Sequence, residues 1–123
     1  MQPSAELVAV ASSTDLERSR TFYESVLELD VDEVTPYACV ARSGSTTLRI
    51  TLAEGWTPQP FTVLGWTVED IRAELAVLRK RDVDPLRFGG MDQDSDAVWT
   101  APGGAQVAWF TDSDGNVLSF TQL

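Results

Sequence analysis

Apolar and polar positions alternate or recur along this chain in an order that predicts strand, helix and three strands, twice over. Residues 6–13 read as a short strand, and Thr14 is placed to cap a helix that opens at Asp15 with an acidic first turn. The helix is expected to run to about residue 28, with Leu16, Phe22, Val26 and Leu29 as its apolar stripe and Tyr23 beside them. Val31 and Val34 then alternate with acids as in a half-exposed strand, and Pro36 breaks it. Residues 37–42 and 46–52 are two further strand-like runs, and Ser43-Gly44-Ser45 between them supplies the turn of a hairpin. In the second run Leu48, Ile50 and Leu52 alternate with Thr47, Arg49 and Thr51, so one face packs against a layer and the other is polar.

After the stretch 54–60, with its two prolines and a glycine, the order repeats. A strand is expected at 61–68, a helix from Glu69 or Asp70 to about Arg81, and a strand around 85–88. A Gly- and Asp-rich loop at 89–96 follows. The closing hairpin joins 105–111 to 117–123 through Asp112-Ser113-Asp114-Gly115-Asn116. Asp15-Leu16 overlays Asp70-Ile71 at a separation of 55, and Ala38 and Leu48 overlay Ala108 and Leu118 at 70, the longer second loop making the difference. Two βαβββ units that cannot easily bury their sheet faces alone are expected to share one sheet. The expected organisation is one domain over 1–123, with module one at about 5–53, a linker at 54–60 and module two at about 61–123. A three-residue turn pairs Trp109 with Ser119 and Val107 with Thr121; the same register in the first half pairs Cys39 with Arg49 and Tyr37 with Thr51.

Composition narrows the chemistry. The 123 residues are 43% hydrophobic and 23% charged, which is globular. Nine basic against 19 acidic side chains leave a net charge of −10, which repels phosphate backbones and anionic lipid, so neither nucleic acid nor membrane is an expected partner. Histidine is absent and Cys39 is the only cysteine. That excludes an internal disulfide, a Cys-rich zinc site, a Ser-His-Asp triad and any imidazole ligand. No basic stretch followed by an apolar one opens the chain, and no apolar run approaches a membrane span of roughly 18 residues, so a cytoplasmic protein is expected. Asp92, Asp94 and Asp96 follow the opening of a calcium loop, but Ala97 and Gly103 stand where glycine and glutamate are needed, and the segment reads as a solvated loop. Asp112 and Asp114 read as turn residues.

Three motifs in order, within two matched halves, carry a family resemblance: Asp15-Leu16-Glu17-Arg18-Ser19 with Phe22-Tyr23, then Val68-Glu69-Asp70-Ile71, then the run from Trp109 to Asn116. Together they resemble the vicinal oxygen chelate superfamily, which includes glyoxalase I, extradiol dioxygenases, fosfomycin-modifying enzymes and bleomycin-resistance proteins. The resemblance covers essentially the whole chain. It implies an α+β fold in which two βαβββ modules form a cupped, eight-stranded mixed sheet with helices on the convex side, in a homodimer. It also implies metal ligands on the first and last strands of each module. In this chain those positions fall at Val8, Arg49, Val63 and Ser119, which are two alkyl groups, a cation and a hydroxyl. Divalent metals in such sites need imidazole or carboxylate donors, so no metal or other cofactor is expected.

In character the chain is therefore closest to the metal-free bleomycin-resistance type. The expected function is metal-independent binding and sequestration of a hydrophobic, aromatic compound such as an antibiotic, cationic ones included. The alternative is a metal-independent enzyme of lyase or isomerase type, with Arg49 as electrostatic stabiliser and Tyr37 or Cys39 in proton transfer. The expected ligand-binding residues are Tyr37, Cys39, Arg49, Trp56, Phe61, Trp99, Trp109 and Ser119. Trp109 has the best claim to stack on a ligand. Arg49 is expected to meet a carboxylate, from Glu54 or the other subunit, a backbone oxygen or an anionic ligand group; Cys39 beside it reads either as a thiol of lowered pKa or, as buried cysteines more often are, as inert packing.

Overall fold

Both βαβββ modules form, each as a compact unit of its own. The computed structural model describes residues Met1–Leu123, with one unit at Met1–Pro58 and the other at Gln59–Leu123. The first unit runs β1 (Val8–Ser13), α1 (Leu16–Thr21), a π-helical turn (Phe22–Val26), β2 (Asp30–Val34), β3 (Ala38–Ser43) and β4 (Thr46–Leu52). Its strands order as β1-β4-β3-β2, with β1 parallel to β4 and the other neighbours antiparallel. The second unit runs β5 (Thr62–Thr67), α2 (Ile71–Lys80), β6 (Trp99–Thr100), β7 (Gln106–Thr111) and β8 (Val117–Gln122), ordered β5-β8-β7-β6 with β5 parallel to β8. Eight strands are thus hydrogen-bonded as two four-stranded mixed sheets, one in each unit; seven of them are where the sequence predicts and the eighth, β6, is not.

An aspartate opens each helix. Asp15 Oδ1 accepts from the Arg18 N–H at 3.1 Å and Asp70 Oδ1 from the Ala73 N–H at 3.1 Å, each meeting an otherwise unpaired donor at the positive end of the helix. Asp15, not Thr14, is therefore the first cap; Thr14 Oγ1 accepts from Arg18 Nη2 instead. The buried Ser13 hydroxyl accepts from Ser19 Oγ at 2.6 Å and from the Asp15 N–H at 3.0 Å, tying the end of β1 to α1. The helix expected to continue to residue 28 widens instead, with the Leu27 N–H donating to Phe22 O in a single π turn, and Glu28 leaves it at φ +58°. Phe22 and Tyr23, edge to face at 5.3 Å, pack in the core of this unit with Cys39, Ala41, Leu48 and Ile50.

The first hairpin corrects the expected register by one residue. Ser43 pairs with Thr46, so the turn holds two residues rather than three, with Gly44 at φ +58° as a type II′ turn requires. Cys39 therefore faces Ile50, Val40 faces Arg49 and Ala38 faces Thr51. The second hairpin keeps its predicted register, Trp109 with Ser119 and Val107 with Thr121, because its turn is one residue longer. That turn is held from inside. Asp112 Oδ1 accepts from the N–H groups of Asp114 (2.9 Å) and Asn116 (3.0 Å), and Oδ2 from Asn116 Nδ2 (2.8 Å), with both side chains buried.

In the second unit Ile71, Leu75 and Leu78 of α2 form a buried core with Ala108, Phe110, Leu118 and Phe120. Trp66 lies on that helix side, paired with Phe120 at a ring distance of 6.5 Å, as its strand alternation predicts. The strand expected around 85–88 does not form. Pro85 has no N–H to give, only the Leu86 N–H donates to Trp109 O, at 2.7 Å, and the edge of the sheet is Trp99–Thr100 instead.

Candidate functional site

The open face of the second sheet carries an aromatic cavity. Alternation along β7 and β8 puts Trp109 on the face away from α2, beside Ser119, with Val107 and Thr121 further along the same face. Gly65 on β5 is Ser119's other neighbour. A Cβ there would sit 2.6 Å from Ser119 Oγ, so any side chain at this position would make the Ser119 hydroxyl turn away. Trp99, paired with Val107, reaches the Trp109 ring at 6.3 Å, and Phe88 meets the same ring edge to face at 5.4 Å. Beside Phe88 and Trp109 lies a cavity, widely open to solvent, of about 430 Å³ lined by Phe61, Thr62, Phe88, Met91, Trp109 and Val117, with Pro60, Gly89 and Gly90 completing the wall. No lining side chain is charged. Such a volume, with flat apolar walls, fits a small organic molecule of two or three fused rings.

The loop that brings Phe88 and Met91 to this cavity is built, not merely solvated. Asp94 Oδ1 accepts from the N–H groups of Asp96 and Val98, closing a tight turn, while Gln93 ties the loop together by accepting from the Phe88 N–H and donating to the carbonyls of Leu86 and Ala97. Arg72 on α2 donates to Asp94 and Asp96 at 2.8 and 2.7 Å. The Arg72 hydrogen bond, helped by the backbone N–H groups of Val98 and Asp96, holds the Asp94 carboxyl below its ordinary range, so both partners are charged at neutral pH.

Of the expected ligand-binding residues, Phe61 and Trp109 line the cavity, Trp99 meets the Trp109 ring at a tilt without lining the cavity, and Ser119 stands beside Trp109 on the same face. Trp56 lies in the linker of the first unit and Tyr37 is exposed ahead of β3; neither borders the cavity. Arg49 is exposed on the open face of the first sheet between Val10 and Val40, and no ion pair to Glu54 forms. Because the face is open, the guanidinium is hydrated there and needs no protein partner. For Cys39 the ligand-binding and lowered-pKa readings are corrected and the packing one stands. The two-residue turn moves it to the opposite face from Arg49, where it is fully buried beside Ile50.

Burial pushes the Cys39 thiol up, outweighing the attraction of Arg20, and Glu17 and Glu24 push it further. We expect the native protein to react with a chromogenic disulfide at pH 8 orders of magnitude more slowly than a free thiol, and at full rate once unfolded in urea. Fast labelling of the native chain would contradict this burial. The raised folded-state value also means that the fold favours the thiol form, so this contribution is complete at neutral pH and is lost as pH rises past the ordinary thiol range. A proton-transfer role for Cys39 beside Arg49 has no support in this arrangement.

Reasoning from strands alone missed Phe88, Met91, Thr62 and Val117. The available signal was Phe88-Gly89-Gly90-Met91, two large apolar residues flanking a flexible pair inside a polar loop.

The residues do not fit a divalent metal. The four positions discussed above hold Val8, Arg49, Val63 and Ser119, and no group of three or more Cys, Asp or Glu side chains is placed to hold an ion.

Known proteins place the fold. No curated protein matches the sequence. Among solved structures, a member of the glyoxalase/bleomycin resistance protein/dioxygenase superfamily from Sphaerobacter thermophilus matches with a TM-score of 0.76 at 20% identity, covering 98% of each chain. A glyoxalase family protein from Bacillus anthracis matches at 0.75 and 12% identity, over 99% of this chain and 97% of the other. Lactoylglutathione lyase from Agrobacterium tumefaciens matches at 0.73 and 16% identity, over 99% and 96%. These identities establish a shared fold only, but the sequence model of one family matches residues 8–120. The two βαβββ units and that match together show that this chain belongs to the Glyoxalase/Bleomycin resistance protein/Dioxygenase superfamily.

Proposed function

We propose that the protein binds a flat, hydrophobic aromatic compound, such as an antibiotic, in the cavity of its second unit and sequesters it by mass action without a metal. The observation that carries this reading is the uncharged cavity of about 430 Å³ walled by Phe61, Phe88, Met91 and Trp109. The ring faces supply stacking area and the chain supplies no ligand set for an ion. The net charge of −10 raises the local concentration of cations, so among compounds of equal shape the cationic ones bind faster and tighter at low salt. We further propose a homodimer, on the grounds that the edge strand β1 leaves Val8 and Val10 exposed, with Leu7 just ahead of them.

The test is a titration in chelator-treated buffer with acridine, 9-aminoacridine and a bleomycin, following tryptophan fluorescence, with the mass in solution measured in the same buffer. Saturable quenching at one ligand per cavity, unchanged by added divalent metal, is the expected result. Silence from every compound, or binding that appears only when metal is restored, would sink the reading.

A further inference from the structure

We propose that Arg72, which lies on α2 outside the cavity, is the positioning residue that holds the cavity's loop wall in place, so that ligand affinity falls with salt even for an uncharged ligand. This rests on the reading of the cavity as the ligand site. The wall is the segment from Phe88 to Met91. At its centre Gly89 and Gly90 have nothing within 4 Å of where a Cβ would stand, and Gly90 is at φ +80°, so no side-chain packing fixes the backbone there.

The wall is fixed at its two flanks. On one side the Leu86 N–H donates to Trp109 O, and the Phe88 ring leans on Trp109. On the other side the turn after Met91 is clasped to α2. Arg72 Nη2 meets Asp94 Oδ2 at 2.8 Å and Nη1 meets Asp96 Oδ2 at 2.7 Å; Arg79 Nη1 lies 3.7 Å from Asp96 Oδ1, and its Nη2 donates to Asp96 O. Arg87 donates to the carbonyls of Asp94 and Ser95, and Gln93 passes the constraint back to Phe88 by accepting its N–H at 2.8 Å.

An isolated exposed ion pair contributes little, but here one guanidinium spans two carboxylates and a second shares one of them, which is network geometry. α2 is a firm anchor because Ile71, Leu75 and Leu78 are buried. A wall whose glycine centre carries no side-chain packing, tied at its far flank to a buried helix through exposed charges, loosens when those charges are screened.

The experiment uses the full chain, the variants R72Q and R72K, and acridine, which is neutral at pH 8 and so has no charge interaction of its own with the protein. Affinity is read between about 20 mM and about 500 mM NaCl. In the ligand-free protein the indole N–H resonances of Trp99 and Trp109 and the exchange of amides 88–98 are followed beside those of Leu75 and Leu78. We expect R72Q to bind acridine about 3- to 10-fold more weakly, as for a wall docked roughly a tenth to a third of the time, and to lose the salt dependence. R72K should fall between, since one ammonium cannot span both carboxylates as the fork does. The two indole signals should shift while Leu75 and Leu78 stay protected.

Wild-type affinity and salt response in R72Q, or unmoved indole signals, would overturn the proposal. So would loss of protection at Leu75 and Leu78, which would make Arg72 a stability residue. If the unsubstituted protein binds neither acridine nor the other two compounds, the reading of the cavity fails, and the clasp is then judged on the ligand-free signals alone.

Discussion

Trp109→Ala weakens binding of flat aromatic compounds by about 10- to 100-fold, the size expected when a stacking platform is removed from the centre of a site. The indole supplies a wall of the cavity and the surface on which Phe88 rests edge to face. Its loss removes the stacking face and also frees Phe88 to turn into the space left behind. Stability falls as well, by about 2 to 3 kcal/mol, because the ring is half-buried and the full cost of deleting a core aromatic is not reached. Calorimetric titration gives the first quantity and urea unfolding the second. Trp109→Phe separates them, since a smaller ring keeps a stacking face and should retain most of the affinity. Trp109→Ala binding with unaltered affinity would place the ligand elsewhere.

Asp112→Ala has the largest effect expected on stability alone, a loss of about 3 kcal/mol or roughly 10 °C in Tm. One carboxylate, itself buried, accepts from two backbone N–H groups and from the buried Asn116 amide within a half-buried turn, and alanine takes that acceptor from all three at once. Hydrogen bonds to a charged group are stronger than neutral ones, and buried donors left without an acceptor cost their full desolvation. The measurement is the urea midpoint at unchanged slope. Asp112→Asn should recover part of the loss, because its single oxygen can still accept from both backbone N–H groups that share Oδ1, while its NH2 stands where the Asn116 amide needs an acceptor. A shift within about 0.5 kcal/mol, as at an ordinary surface position, would show that the turn does not depend on this carboxylate.

Much of the fold is legible in local pattern, and the failures have local causes as well. Alternation in 46–52 and the acidic helix starts are read correctly because period and capping are properties of a few adjacent residues. The choice between Thr14 and Asp15 is lost because both are good caps and only the charge at the helix start separates them. The register of the first hairpin is lost because Ser43-Gly44-Ser45 suits a two- or a three-residue turn equally, and one residue moves every side chain of β3 to the other face. That single slip carries Tyr37 and Cys39 away from the face that holds Arg49.

What the sequence by itself determined is the αβ order of the two units, the repeat that relates them, the superfamily and the absence of any imidazole or paired-thiol chemistry. Each depends on residue type and spacing over short distances. Only the tertiary structure decided where the cavity lies and what closes it. Phe88 and Met91 belong to a loop with no periodicity, and they reach Trp109 because Arg72, more than 20 residues away in sequence from its two aspartates, holds the far end of that loop. A contact between such distant groups depends on backbone geometry rather than on any local preference, so no window of sequence contains it.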